Sequence, residues 1–245
     1  MDNFYDVENY VDIYSETNTS FCESRKNCLT SYIRQHNLKL NKVLDLASGT
    51  GLFLDLLQKE FNIEKCVGLD FSENMVAYAK KHYKNKHIKF VNGDMTNFNL
   101  NERFDLITCN YDAINHLSTF ENWVEMFKNV FNNLSEGGIF TFDFNTVENM
   151  KNFNGTSYKT LEKYNTIFQL NNKDKRMNFK QIIYNKTPNG FYKMYEVELS
   201  ESVFPNKAIK KALKQTGFKK IKFCDSDFKN CNTKKAKRLF VLCEK

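Results

Sequence analysis

Short apolar strands alternate with helices through the first 145 residues of this chain. Strand patterns lie at 42–47, 66–70, 88–91, 104–109 and 138–144, and helix patterns at 20–35, 51–61, 72–83 and 120–134. Parallel strands need long crossover connections, which helices supply. The alternation therefore predicts an α/β fold with a mostly parallel sheet and helices on both of its faces.

The pattern changes after residue 145. Strands at 166–170, 177–184 and 191–199, with turns at 171–173 and 188–190, predict an antiparallel segment. A helix at 206–215 and strands at 218–224 and 238–243 then resume the alternation. We predict a Rossmann-like, mostly parallel seven-stranded sheet with an antiparallel β insertion after the fifth strand. The predicted division is 1–145 with 204–245 for the main domain and 146–203 for the insertion.

Composition excludes several classes of protein. With 41% hydrophobic and 27% charged residues, the chain can bury a core and lies outside the disordered class. It has no run of roughly 20 apolar residues, and its first ten residues lack a leader pattern. The seven cysteines are scattered without a C-x-x-C pair, and no metal-ligand spacing is visible. We therefore expect a cytoplasmic protein with reduced thiols, no membrane segment and no metal.

Positive charge is concentrated near the carboxyl terminus. The formal net charge is +7, and residues 206–245 hold 13 Lys and Arg against three Asp and Glu. Such a patch could attract RNA or another polyanion. Lys210, Lys211 and Lys214 equally fit the solvated face of a helix. Because the lysines lack the interleaved aromatic residues that stack bases, we expect no nucleic-acid binding.

A glycine-rich turn follows the first strand. The strand contains Asp45, and the turn with Gly49 and Gly51 leads into a helix, so backbone N–H groups can approach a ligand. A dinucleotide is one candidate ligand. Leu54 stands where the third glycine of G-x-G-x-x-G belongs, however, and Asp45 would repel a pyrophosphate. A carboxylate here suits a cofactor with positive charge.

At this turn the sequence resembles the class I S-adenosylmethionine-dependent methyltransferases. Asp45, Ala47, Gly49 and Gly51 match the family's first motif, D-x-G-x-G-x-G, with Ala47 in place of its first glycine. The resemblance implies that this loop packs against the methionine part of S-adenosylmethionine. A tight turn without a ligand is the alternative for the two glycines.

The resemblance assigns the nucleoside part to residues after the second and third strands. It implies that Asp70 holds the ribose hydroxyls, that Phe71 and Met75 flank the adenine, and that Asp94 and the Met95 backbone read the adenine amino group. Ser72 is the predicted N-cap residue of the helix at 72–83. Asp70 could instead have a capping role at this helix, and Asp94 could be an ordinary turn residue.

Asn110 and Tyr111 follow the fourth strand, where the resemblance implies that they face the methyl donor and acceptor. The motifs lie in the family's order, each at the end of a strand, and this order favours cofactor binding over independent turns.

Features after the fourth strand indicate the kind of acceptor. Amino-group DNA and RNA methyltransferases have [DN]-P-P-[YF] there, whereas this chain has its two prolines at Pro188 and Pro205. Its D-A-I-N-H-L segment at 112–117, its amino-terminal lid rich in Tyr and Asp, and its β-rich insertion resemble the branch that includes bacterial amino-sugar N-methyltransferases. The resemblance implies a small-molecule acceptor whose pocket is formed by the lid and the insertion.

His116 and Tyr14 are the candidate catalytic residues. His116 could be a general base for a hydroxyl acceptor or a structural cap of the next helix. Tyr14, with Tyr10, lies in the lid, where aromatic rings could shield the sulfonium from water. The branch's usual Tyr-Asp pair is Val11-Asp12 here. Asp143 could line the acceptor side or turn the chain into the insertion.

The sequence therefore predicts an enzyme that moves the methyl group of S-adenosylmethionine to an oxygen or nitrogen of a small molecule by in-line displacement. One alternative is an RNA or protein methyltransferase that uses the basic carboxyl-terminal region. The other is a cofactor-binding module without catalysis. The acceptor's identity and the oligomeric state are left open.

Overall fold

The computed structural model describes residues 10–160, 164–173 and 176–245. The main sheet consists of β1 Lys42–Leu46, β2 Lys65–Asp70, β3 Ile88–Asn92, β4 Phe104–Cys109, β5 Leu134–Asn145, β10 Lys219–Cys224 and β11 Arg238–Glu244. Its strand order is β3-β2-β1-β4-β5-β11-β10. Neighbouring pairs among β1 to β5 are parallel, and β11 is antiparallel to both β5 and β10. The predicted seven-stranded, mostly parallel sheet is confirmed.

Helices cover both faces of this sheet. They are α1 Tyr10–Gln35, α2 Leu52–Phe61, α3 Glu73–His82, α4 Phe120–Asn133, α5 Val147–Lys151 and α6 Asn206–Thr216. On one face α4 and α6 pack in a core that buries Trp123 and Phe127 completely. On the other face α1, α2 and α3 contribute Leu29, Leu54 and Val76 to a second core. Burial on both faces explains why the central strands are almost continuously apolar.

Two predicted boundaries are wrong. The first helix begins at Tyr10, ten residues before the predicted start, because its amino-terminal turns are buried against a second sheet. Strand β5 begins at Leu134, directly after α4 and four residues before the predicted start at 138, because Leu134 is already buried opposite Phe104. The predicted cap at Ser72 is confirmed, since its side chain accepts a hydrogen bond from the Met75 N–H.

The second sheet is antiparallel and has the order β6-β7-β8-β9. Its strands are β6 Gly155–Thr160, β7 Tyr164–Lys173, β8 Arg176–Lys186 and β9 Tyr192–Ser202. The predicted turn at 171–173 is wrong, because these residues pair with 176–178 and extend β7. Strand β6 escaped prediction since all six of its residues are exposed and show no apolar alternation. The antiparallel insertion is confirmed, and the division at residues 146 and 203 stays a prediction.

Helix α1 lies against both sheets. Tyr10 and Ile13 pack on Tyr164, Ile183 and Val197 of the antiparallel sheet, and later turns of α1 pack on α2. The first nine residues, which belong to the predicted lid, are outside the described residues. In the described part of the chain no helix is long and apolar enough to cross a membrane. All seven cysteines are free thiols, and the described residues contain no cluster of side chains that could hold a metal.

Candidate active site

Most of the predicted cofactor residues meet at one edge of the main sheet. β4, β1, β2 and β3 are adjacent and parallel, so the segments that follow them leave the same edge. Asp45 lies in register with Gly68 of β2 and Thr108 of β4, and Asp70 with Asn92 of β3. Ligands bind at this carboxyl-terminal edge in open α/β sheets.

The loop after β1 is tightly wound. Ala47, Gly49 and Gly51 have φ angles of 52°, 53° and 83°, a region that costs an ordinary L-residue about 1–2 kcal/mol. Ala47 thus accepts strain at the position where the family motif has its first glycine. A Cβ on Gly51 would lie 2.5 Å from Cζ of Phe90, so this position has no room for a side chain.

Asp70 organises this loop. One carboxylate oxygen accepts a hydrogen bond from the Gly49 N–H at 2.7 Å, and the other accepts one from the Ser72 N–H at 2.9 Å. Burial raises the pKa of Asp70 above its ordinary value, while these two hydrogen bonds oppose that rise. The side chain supports the start of α3, as the capping alternative requires, and also holds the loop on which the cofactor would rest.

We expect Asp70→Ala to weaken S-adenosylhomocysteine binding by about 1–3 kcal/mol, because the variant leaves the buried Gly49 N–H without its acceptor. Asp70→Asn keeps an acceptor oxygen and is the matched control, with a smaller expected loss. Calorimetric titration of both variants measures the difference. Equal affinities for wild type and Asp70→Ala would leave Asp70 with the helix-supporting role alone.

Asp45 is a buried carboxylate with few partners from the protein. It is 3% exposed, and its Oδ1 accepts hydrogen bonds from Thr108 Oγ1 at 2.5 Å and from Asn110 Nδ2 at 3.5 Å. Burial raises the pKa of Asp45 to about 7, and the charge of Asp70 adds to the rise. A cationic ligand group at this position would favour the ionised carboxylate.

The residues assigned to the adenine differ in their surroundings. Phe71 is 70% exposed at the rim of the site, whereas Met75 is 1% exposed and packed inside the protein. Asp94 accepts hydrogen bonds from the backbone N–H and the hydroxyl of Thr96, which favours the turn alternative. Met95 packs partly buried against the core. Adenine contact by these four residues stays a prediction.

Aromatic residues of α1 cover the loop. A Cβ on Gly49 would lie 3.4 Å from the Tyr14 ring, so Tyr14 lies directly over the loop. The Tyr111 ring is in edge-on contact with Phe21, at 4.4 Å between centroids, and with Tyr14, at 6.4 Å. These rings and Asn18 line a small cleft that reaches Asp45. Sequence reasoning missed Asn18, which precedes the predicted helix start at residue 20, and Phe21, which was predicted only as part of that helix.

Asp143 holds the turn that contains Tyr111 and Asp112. Both turn residues have left-handed backbone angles, with φ of 62° and 48°. Asp143 is fully buried and accepts hydrogen bonds from the Tyr111 N–H at 2.8 Å, the Asp112 N–H at 3.0 Å and Arg238 Nε at 2.7 Å. These contacts give Asp143 a structural role that neither alternative named, since it holds the turn after β4 that positions Tyr111.

The turn belongs to a larger buried polar network, defined here as Asp112, Asp143, Asn145, Glu201 and Arg238. Asn145 Nδ2 donates to Asp112 at 2.5 Å and to Glu201 at 2.7 Å, and Arg238 Nη2 lies 2.8 Å from Asp112. Burial raises the pKa of Glu201 to about 7 and that of Asp112 well above its ordinary value. The network joins the end of β4 to β5, β9 and β11.

His116 ends a short 3-10 helix, Ala113–His116, after β4. Thr119, and not His116, caps the next helix, because its hydroxyl accepts the hydrogen bond from the Asn122 N–H. Burial lowers the pKa of His116 to about 4, so its imidazole is neutral at physiological pH. A neutral imidazole can accept a proton, and the role of general base stays a prediction.

Comparison with known proteins agrees with this geometry. Residues 43–138 match the model of the methyltransferase domain family. A dTDP-3-amino-3,6-dideoxy-alpha-D-glucopyranose N,N-dimethyltransferase of Streptomyces fradiae is 36% identical over 90 residues, which cover 37% of this chain and 34% of that protein. The putative methyltransferase YqeM of Bacillus subtilis is 32% identical over 117 residues, 46% of each chain. The matches thus span a third to a half of these relatives.

Solved structures extend the similarity to the whole fold. An S-adenosylmethionine-dependent methyltransferase from Clostridium acetobutylicum aligns with a TM-score of 0.82 and 24% identity over 91% of both chains. DesVI of Streptomyces venezuelae aligns with a TM-score of 0.79 and 16% identity over 96% of both chains. The chain thus shares its fold with these solved structures, and its residues 43–138 match the methyltransferase domain model. Its matched sequence relatives include sugar N,N-dimethyltransferases.

Proposed function

We propose that the protein transfers the methyl group of S-adenosylmethionine to a nitrogen or oxygen of a small molecule. The observation that supports this most is that two buried carboxylates, Asp45 and Asp70, lie on either side of the glycine-rich loop after β1. Asp45 is the second-last residue of β1 and Asp70 the last residue of the adjacent β2, and the Gly49 N–H donates a hydrogen bond to Asp70. The residues therefore fit a ligand with a cationic amino-acid part and a hydroxylated ribose.

The cofactor supplies an activated methyl group on a sulfonium, so the protein has mainly to position the acceptor and exclude water. Asp45 and Asn110 would face the cationic part, and Asp70 would take the ribose hydroxyls. The rings of Tyr14, Phe21 and Tyr111 shield this edge from solvent. The inner face of the antiparallel sheet, which packs on α1, would form part of the acceptor pocket.

Calorimetry tests the cofactor assignment. The protein should bind S-adenosylmethionine and S-adenosylhomocysteine with a dissociation constant in the micromolar range, or about −8 kcal/mol. NAD should not bind comparably, because Asp45 repels its pyrophosphate and Leu54 fills the space of the third glycine. Comparable binding of NAD, or no binding of S-adenosylhomocysteine, overturns the proposal.

The affinity for S-adenosylhomocysteine should rise between about pH 6 and pH 8. Its ammonium favours the ionised form of Asp45, and the pKa of Asp45 near 7 means that acidification neutralises this carboxylate. Each pH unit below the pKa should cost up to about tenfold in affinity. Asp45→Asn should bind more weakly and lose this dependence. A wild-type affinity that is flat over the range would argue against contact with the ammonium.

An acceptor-library screen scored by release of S-adenosylhomocysteine identifies the substrate class. Amino-bearing and hydroxyl-bearing small molecules are the two arms. If only RNA or protein is methylated, the protein is an RNA or protein methyltransferase and the small-molecule proposal is wrong. If the cofactor binds but no acceptor is methylated, the protein is a cofactor-binding module without catalysis.

A further inference from the structure

Glu201 lies where the antiparallel sheet meets the main sheet. It is the second-last residue of β9. Side chains alternate along a strand, so Glu201 is on the same face as the buried Val197, the inner face that packs on α1. The residue is 4% exposed, and a buried carboxylate needs hydrogen-bond donors. Asn145 Nδ2 is such a donor, 2.7 Å from Glu201 Oε2, so an acidic group of the insertion is joined to the end of β5.

Asn145 also holds the turn after β4. Its Nδ2 donates to Asp112 Oδ2 at 2.5 Å, and the other carboxylate oxygen of Asp112 lies 2.8 Å from Arg238 Nη2. Both oxygens of Asp112 are thus bound, and the amide that binds one of them also binds Glu201. Loss of the Glu201 carboxylate would remove one of the groups that orient this amide, and the hydrogen bond to Asp112 depends on that orientation.

The backbone around Asn145 is fixed by Asn115, which is fully buried. Asn115 Nδ2 donates to the Asn145 carbonyl at 3.1 Å and to the Ser202 carbonyl at 2.8 Å, and its Oδ1 accepts from the Asn145 N–H at 2.9 Å. These bonds tie the end of β5 to the residue after Glu201. The strands cannot slide to absorb a change at Glu201 without breaking them, so the change falls on the side chains of Asn145 and Asp112.

The turn that contains Asp112 is strained and borders the cofactor cleft. Tyr111 and Asp112 have left-handed φ angles of 62° and 48°, and such a backbone persists only where surrounding contacts hold it. The Tyr111 ring lines the cleft that reaches Asp45, whereas Glu201 is not among the described residues that line it. The hydrogen bonds through Asn145 and Asp112 therefore give Glu201 a route to the cleft without direct contact.

We propose that Glu201 is a positioning residue for the cofactor cleft, and that it acts through Asn145 and Asp112 on the turn that carries Tyr111. The inference rests on the proposed function, in which this cleft takes the cationic part of the cofactor. It gives the antiparallel insertion a second role besides its wall of the acceptor pocket, since a carboxylate of β9 then sets the shape of a cleft in the main domain.

Calorimetric titration with S-adenosylhomocysteine tests the proposal. Glu201→Leu removes one acceptor of the Asn145 amide and should weaken binding by about 2-fold to 30-fold, the range for residues that act through a network. Glu201→Gln keeps an acceptor oxygen and should bind nearly as well as wild type. Because burial raises the pKa of Glu201 to about 7, this amide also resembles a carboxyl form that is populated at neutral pH.

Two control variants separate positioning from other effects. Glu198→Leu is the matched control, because this exposed glutamate is on the same strand but on the opposite face, and its cofactor affinity should equal that of wild type. Ile209→Ala tests general destabilisation, since Ile209 of α6 is completely buried in the core that contains α4. It should lower the free energy of unfolding and leave cofactor affinity unchanged.

A double-mutant cycle tests the route from Glu201 to the cleft. In a Tyr111→Ala background the loss caused by Glu201→Leu should disappear, because the turn no longer carries the ring that lines the cleft. If Glu201→Leu does not fold, Asn145→Ser takes its place in the cycle, since a serine hydroxyl is too short to bind Asp112 and Glu201 together.

Three results overturn the proposal. The first is a loss smaller than about twofold in the variant used, or an equal loss in Ile209→Ala. The second is a loss that is the same with and without the Tyr111 ring. The third is a Glu201→Gln variant as weak as Glu201→Leu, because the hydrogen bond to Asn145 would then not be the connection. Wild type that fails to bind S-adenosylhomocysteine overturns the proposed function itself, so the two failures are distinguishable.

Discussion

Arg238→Met should lower the free energy of unfolding by about 3–5 kcal/mol, the usual loss when one partner of a buried ion pair is removed. Arg238 donates from Nε to Asp143, which is fully buried, and its Nη2 lies 2.8 Å from Asp112. Without the guanidinium these carboxylates lose their cation in a part of the protein that already buries Glu201. Urea unfolding near pH 7 measures the loss.

The same variant should recover stability on acidification. Burial raises the pKa values of Asp112 and Glu201, and the charge of Arg238 opposes that rise. Without Arg238 both pKa values in the folded state would rise further, so the folded state would bind more protons as the pH falls. The difference from wild type should therefore be smaller near pH 5 than near pH 8. Lys151→Met removes an exposed ion pair with Glu148 and should cost less than about 1 kcal/mol. A similarly small loss for Arg238→Met would show that the network does not stabilise the fold.

His116→Gln should reduce turnover by about 100-fold to 10,000-fold on a hydroxyl acceptor, because such an acceptor must lose its proton to a base. On an amine acceptor the loss should be far smaller, since a neutral amine already has the lone pair that attacks. Burial lowers the pKa of His116 to about 4, so wild-type activity on a hydroxyl acceptor should be level at neutral pH and fall only in acid. Steady-state rates across pH measure both effects.

Tyr14→Ala, which removes the aromatic ring, is the companion variant for this experiment. Tyr14 lies over the glycine-rich loop, so its replacement should disturb either class of acceptor to a similar degree. Cofactor affinity should be nearly unchanged in His116→Gln. A tenfold or smaller loss on an authenticated hydroxyl acceptor would remove His116 from the candidate catalytic residues.

Elements with strong local signals were predictable from the sequence. The strand predicted at 104–109 coincides with β4, and the predicted N-cap at Ser72 is confirmed. Both predictions depend only on a few adjacent residues, namely a run of apolar side chains and a hydroxyl at the start of a helix. The first turns of α1 contain Thr17, Thr19 and other weak helix formers, and β6 has no apolar face. Both depend on tertiary contacts that sequence periodicity does not show.

Part of the candidate site was also predictable from the sequence, and part of it was not. Asp45 and Asp70 were predictable because Asp45 lies near the end of one recognisable strand and Asp70 ends the next. The buried polar network was not identified, since Arg238 and Asp143 are 95 residues apart and Asn145 and Glu201 are 56 apart. Such pairs become visible only when the strand order is known. Arg238 had been counted merely among the positive charges of the carboxyl-terminal region.

Helix α1 lies beside both the proposed cofactor site and the proposed acceptor pocket. In its first turns, Tyr10 and Ile13 pack on the antiparallel sheet, and Tyr14 lies over the glycine-rich loop after β1. Under the proposed function, these same turns would cover the cofactor loop and form one wall of the acceptor pocket, so a single movement of them would open both. Release of both products would then depend on one movement of α1, and the rate of that movement would set an upper limit on turnover.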